Sequence, residues 1–191
     1  IMIKLLHITP DYAKIMTYAV QTSTRTKGEP VDYEEFIRKT IKGGRLSVGR
    51  HCMASFEVMC SRACSHQLVR HTHLNYTQES QRYVNMKDFT YLVPMSVYNS
   101  SESSLMLYME IMQKIEKTYS ELIDSGVPQE DARYVLPNAT LTSIVISGNF
   151  QAWWDFLKLS TSRKAQWEIR NIAEEIKKIL IEKAPAYFDI L

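Results

Sequence analysis

Three stretches of this chain look like strands: IKLLHI (3–8), CMASFEVMC (52–60) and the β-branched TLTSIVISG (140–148). Each needs a sheet to satisfy its backbone, and segments of helical period separate them. The helices and strands are interspersed without strict βαβ alternation, which predicts an α+β domain. Pro10 and Asp11 open a helix running to about Gln21, and TKGEP (26–30) is a turn. VDYEEFIRKTIKGG (31–44) has early acids, a basic end and a Gly-Gly stop, as a helix dipole favours. SRACSHQLVRH (61–71) is helical. The long stretch 100–126 has a serine cap region and a glycine stop. Pro128 starts a short helix ending near Val135 and Leu136. FQAWWDFLKL (150–159) and 164–184 form two more helices, the last ended by Pro185.

The 191 residues suit one domain, and 45% apolar with 23% charged residues suits a soluble chain with a core. A formal charge of +2 is too small to announce nucleic acid or an acidic membrane, so any anion site must be local. No apolar run approaches the roughly 20 residues of a membrane span. The start, IMIKLLHITPDYAK, lacks a signal-peptide layout, which points to the cytoplasm, and Ile1 before Met2 reads as a remnant. Cys52, Cys60 and Cys64 have neither zinc spacing nor an even count, and read as buried small hydrophobes. His66 and His73 lack a third ligand at metal spacing, and His7 reads as structural. No GxGxxG or Walker pattern occurs.

The stretch RHTHLNYTQESQRYV (70–84) is too polar for a core element. Arg70 and Arg82 each offer a planar fork to phosphate or carboxylate. Thr77 and Ser80 add hydroxyls, and Asn75 and Gln78 add amides that can read a planar ring edge. The set suits a phosphorylated heterocycle. It equally suits a solvated loop whose arginines pair with Glu79 and its neighbours. A second cationic point, Arg133, stands in SGVPQEDARYVLPNA, where alone it would be an ordinary helix-end ion pair. In AQWEIR (165–170), Trp167 reads as core and Glu168 as the partner of a basic residue.

Taken in order, RH-x10-RY with its internal QESQRY, then SGVP-x4-AR-x-VLP, then FLKL-x5-AQWEIR, resemble the flavin-dependent thymidylate synthases. The resemblance runs from about residue 40 to 188. It implies one domain over 1–191 with a twisted, mostly antiparallel sheet flanked by helices. It also implies a homotetramer with shared active sites. The implied reaction is reductive methylation of dUMP to dTMP with FAD, methylenetetrahydrofolate and NADPH. No nucleic acid or membrane partner is expected.

The resemblance places Arg70, His71 and Thr72 at the flavin, with Arg70 also at the nucleotide. Gln78, Ser80, Gln81 and Arg82 match the stretch that holds nucleotide phosphate and sugar, and Gln67 and Arg133 join them. Ser47, Arg45 and Arg50 fall near the flavin phosphates, and Asn149 and Asp155 flank the flavin. Arg70, Ser80, Ser160 and Arg163 form the expected catalytic set.

Four departures from the family pattern stand out. Thr72 replaces the third residue of Arg-His-Arg. Ser160 stands where an arginine contacts the pyrimidine. Lys164 stands where a histidine is usual. Arg45 and Arg50 occupy positions where a histidine and a glutamate are common. Arg163, three positions on, is a candidate substitute for the arginine missing at 160. The alternative to dTMP synthesis is a divergent homologue that binds FAD and a pyrimidine nucleotide but has altered base specificity or little turnover.

Overall fold

Four strands hydrogen-bond in the order β1-β2-β4-β3: β1 (Met2–Ile8), β2 (Met53–Ser61), β3 (Asn75–Gln78) and β4 (Leu141–Asn149). In this computed structural model residues 2–191 are described, and Ile1 lies outside them. The sheet is antiparallel and flanked by helices, as expected of the α+β class. β2 and β4 alternate buried and part-exposed residues, the period-2 signature of a half-buried strand.

The helices are α1 (Tyr12–Thr24), α2 (Tyr33–Lys42), α3 (Arg62–Leu68), α4 (Met95–Tyr98), α5 (Glu102–Asp124), α6 (Gln129–Ala132), α7 (Phe150–Ser160), α8 (Trp167–Lys183) and α9 (Pro185–Phe188). Caps explain several boundaries. Asp32 accepts the Glu35 N–H at the start of α2, Ser101 accepts the Ser104 N–H at α5, and Asn149 accepts the Ala152 N–H at α7. Gly126, at φ 90°, closes α5 in a conformation that costs a glycine little. Gln166 lies outside α8 and caps it, its side chain accepting the N–H groups of Glu168 and Ile169. That register buries Glu168 and leaves Trp167 half-buried, so Trp167 is not the core residue expected of it. Pro185 does not merely end α8: it starts the short α9.

The chain forms two compact units. The first comprises the chain to Val58, Leu68–Thr77 and Val145–Leu191, and the second Met59–Gln67 and Gln78–Ile144. The first has an aromatic core. Phe56 meets Trp153 edge-on at 5.1 Å, Trp153 meets Phe156 at 5.7 Å, and Phe150 packs against Tyr187 and Phe188. Trp153 also donates its Nε1–H to the Ala54 carbonyl at 3.0 Å, so the buried indole leaves no polar atom unsatisfied. In the second unit Met86, Phe89, Tyr119 and Ala132 make the core, with Ile115, Leu122 and Val135 against them. Cys52, Cys60 and Cys64 are buried, and burial pushes the Cys52 thiol up to about 11, which makes it a poor nucleophile at neutral pH.

Among the described residues, no helix is long and apolar enough to cross a membrane.

Candidate functional site

The first unit holds Arg45, Ser47, Arg50, Arg70, His71, Thr72, Asn149, Asp155, Ser160 and Arg163. Two clefts gather five of them. One, of about 260 Å³, is lined by Arg50, His73, Asn149, Gln151, Ala152 and Asp155. The other, of about 240 Å³, is lined by Arg45, Ser47, Val48 and His51 with Ala19, Val20 and Ser23 of α1. A single 3₁₀ turn, Leu46–His51, serves both clefts. Arg50 donates its Nε–H to Gln151 Oε1 at 2.6 Å, which ties the turn to the first turn of α7. The positions predicted to surround one ligand are thus divided between two clefts. Ser23, His51, His73 and Gln151 join them without any prior signal. An isolated Ser or His in a polar stretch has nothing in sequence to distinguish it.

Arg70, His71 and Thr72 lie in a turn rather than in the helix expected to run to 71, because α3 ends at Leu68. Tyr76 Oη reaches the carbonyls of Leu68 at 2.6 Å and His71 at 2.9 Å and so staples that turn. Leu74 anchors it from the apolar side. It lies so close to Gly148 that a Cβ there would fall 2.3 Å from Leu74 Cδ2. Arg70 and Thr72 are exposed, and His71 is half-buried.

His71 meets the Phe156 ring edge-on at 4.9 Å, and burial holds its imidazole below the ordinary histidine value. Ser160, 3% exposed, places Oγ 3.4 Å from His71 Nε2. Ser160, at the position where an arginine was expected, therefore faces an imidazole whose charged form burial disfavours. Arg163 does not share its helix face: α7 stops at Ser160, and Arg163 is exposed in the turn beyond.

The second unit holds Gln67, Gln78, Ser80, Gln81, Arg82 and Arg133. Arg82 Nε and Nη2 both approach Glu130 Oε2 at 3.0 Å, and Arg133 Nε donates to the Glu130 carbonyl at 3.0 Å. Two guanidiniums far apart in sequence thus converge on one residue of α6. A third is close by. Burial, and after it the neighbouring Arg133, hold the Arg62 guanidinium below its ordinary value, and Glu79 opposes them. Arg62, in SRAC at the start of α3, is a further cation that the motifs did not single out. Ser80 Oγ accepts the Arg82 N–H at 3.3 Å, which shapes the turn carrying Arg82. Gln78 Nε2 donates to Ser65 Oγ at 2.9 Å and Thr142 Oγ1 at 3.2 Å, so its amide is fixed. Gln67 and Gln81 are half-buried. Arg82 and Glu130 are each about half exposed (52% and 51%), so their ion pair contributes at most about 1 kcal/mol. An arriving anion can take Arg82 from it at little cost.

Residues 4–186 match the family described as Thymidylate synthase complementing protein. A protein of Geobacter sulfurreducens, named Flavin-dependent thymidylate synthase, is 37% identical over 197 residues, covering 97% of this chain and 84% of its own. One of Saccharolobus solfataricus with the same name is 38% identical over 194 residues, covering 94% and 74%. Another so named, from Mycobacteroides abscessus, is 35% identical over 170 residues, covering 81% and 68%. The mixed polar donors of the first unit and the guanidinium cluster of the second are chemistry that suits anionic ligands. The chain belongs to the thymidylate synthase complementing protein family.

Proposed function

We propose that this chain is a flavin-dependent thymidylate synthase. It would methylate dUMP to dTMP with methylenetetrahydrofolate as carbon donor and NADPH as reductant. The observation that carries the reading is the 37% identity to a relative so named across 97% of the chain. FAD, when bound, supplies a two-electron carrier between NADPH and the one-carbon unit. The donors of the first unit suit it. Arg45, Arg50 and Ser47 offer the cations and hydroxyl that a pyrophosphate needs, and Asn149 and Asp155 offer hydrogen-bonding partners for a heterocycle edge. His71, flanked by Arg70 and Thr72, adds a flat, neutral ring.

In the second unit Arg82 and Arg133 hold the nucleotide phosphate, with Ser80, Gln81 and Gln78 at the phosphate and sugar and Gln67 beside them. Arg70 serves flavin and nucleotide alike. Ser160 cannot offer positive charge to a base that gains negative charge, and removing such a donor costs about 10²–10³ in rate. Arg163 supplies it only by swinging in from its exposed turn. We infer a cytoplasmic homotetramer with shared sites.

The burial of Ser160 against His71 favours a second reading, in which FAD and a pyrimidine nucleotide bind but base specificity is altered or turnover is low. Anaerobic incubation with dUMP, methylenetetrahydrofolate and NADPH, with product identified by mass, separates the two. Formation of dTMP that needs all three supports the first. Flavin uptake with NADPH oxidation accelerated only by another pyrimidine nucleotide supports the second. A colourless protein that takes up no flavin ends both.

A further inference from the structure

We infer that Tyr187 is a positioning residue for the turn Leu46–His51, an inference that rests on the flavin reading above. The ring is fully buried, at 0% exposure. Its Oη donates to the Leu46 carbonyl at 2.8 Å. Three residues on, Gly49 lies against the hydroxyl end of the same ring. A Cβ at that position would fall 2.3 Å from Tyr187 Oη and 2.4 Å from Cζ, so only glycine fits without displacing the turn. Behind the ring stand Trp154, edge-on at 5.7 Å, and Phe150 at 5.5 Å.

The position of these contacts gives them their effect. Leu46 and Gly49 bracket Ser47. Arg45 precedes the pair and Arg50 follows it. One hydrogen bond and one close contact to the same ring therefore hold the backbone at Leu46 and at Gly49, in the segment that sends Arg45 and Ser47 to one cleft and Arg50 to the other. A 3₁₀ turn has poorer internal hydrogen-bond geometry than an α-helix and gains most from outside support. Donors held in place before a ligand arrives need not be ordered by it, which strengthens binding without any added contact. Tyr187 lines neither cleft, and its hydroxyl bonds to the turn that lines both. The last of the motifs ends at Arg170, so none of them reaches Tyr187.

The test compares FAD affinity, by quenching of flavin fluorescence, in the full-length wild type, Tyr187→Phe, Ser47→Ala and the double variant. Tyr187→Phe keeps the ring and removes only the hydroxyl. It is expected to weaken FAD binding about 3- to 10-fold, the range of one neutral hydrogen bond, and to leave dUMP affinity unchanged. In the Ser47→Ala background the loss is expected to be smaller, because part of it passes through Ser47. A purely structural role would lower FAD and dUMP affinity together, or give losses that multiply in full, and either outcome overturns the inference. If wild type binds FAD and Tyr187→Phe binds it equally well, the inference fails while the flavin reading stands. If wild type takes up no FAD, both fail. Should Tyr187→Phe fold poorly, Gly49→Ala displaces the turn from the same ring. It is expected to weaken FAD binding at least as much, and unchanged affinity there overturns the inference.

Discussion

In the first unit two donor-bearing turns are held by tyrosines, one by the buried Tyr187 and one by the half-buried Tyr76. In the second the donors are half-exposed guanidiniums that lean on a single glutamate. The turn Leu46–His51 rests on Tyr187, and the turn after α3 is stapled by Tyr76, so both draw support from the fold itself. Arg82 is instead held by an ion pair open to water. The first arrangement suits a large, many-atom ligand whose contacts must be in register. The second suits a compact anion that is captured by charge and can leave again. Stability and binding should therefore separate along the same line.

The largest expected effect tests the rigid side. Trp153→Ala empties a fully buried indole site and should cost about 3–5 kcal/mol in urea unfolding. Arg82→Ala should stay within about 0.5 kcal/mol of wild type in the same assay. Next comes the charged side. Arg133→Ala removes a charge-assisted contact and should weaken dUMP binding about 10- to 100-fold by calorimetry, with FAD affinity unchanged. A smaller effect has the opposite sign. Glu130→Gln releases Arg82 from its carboxylate and should tighten dUMP binding about 2- to 5-fold, the range of an exposed ion pair, with less gain at high salt.

The smallest effect concerns pH. Burial makes His71 hold its proton less readily in the folded protein than in the unfolded chain, whose histidine titrates near 6.5. The unfolded chain therefore binds more protons below that value, and stability should fall as pH drops through 6.5 and level off below the folded value. Urea unfolding at pH 5 and 7.5 should show this slope, and His71→Gln should flatten it.

Three of the four strands were legible, β2 from its alternation, β4 from its β-branched residues and β1 as a short apolar run. β3 was not. Asn75, Tyr76, Thr77 and Gln78 carry no apolar period, and what makes them a strand is pairing with β4, far away in sequence. The turn Leu46–His51 was invisible for a similar reason: it is short, aperiodic and supported by residue 187. The guanidiniums of Arg82 and Arg133 could be read as anion donors from their chemistry alone. Their meeting at Glu130 could not, since the glutamate is three residues from Arg133 but 48 from Arg82, and nothing local to Arg82 encodes the contact. Ser160 lay one position past the helix read over 150–159, its burial depends on which face α7 turns inward, and its contact with His71 spans 89 positions of chain. Trp167 misled because aromatic bulk suggests a core. The cap at Gln166 instead set a register that turned Glu168 and Ile169 inward.

Gly148 and Leu74 touch because one has no side chain and the other fills the space it leaves. The two positions are therefore bound by a conserved sum of volumes. Among homologues, an alanine or serine at 148 should come paired with a shorter residue at 74. A chain that changed only one of the pair would lift the Arg70–Thr72 turn off its seat, and an alignment alone can reveal that trade.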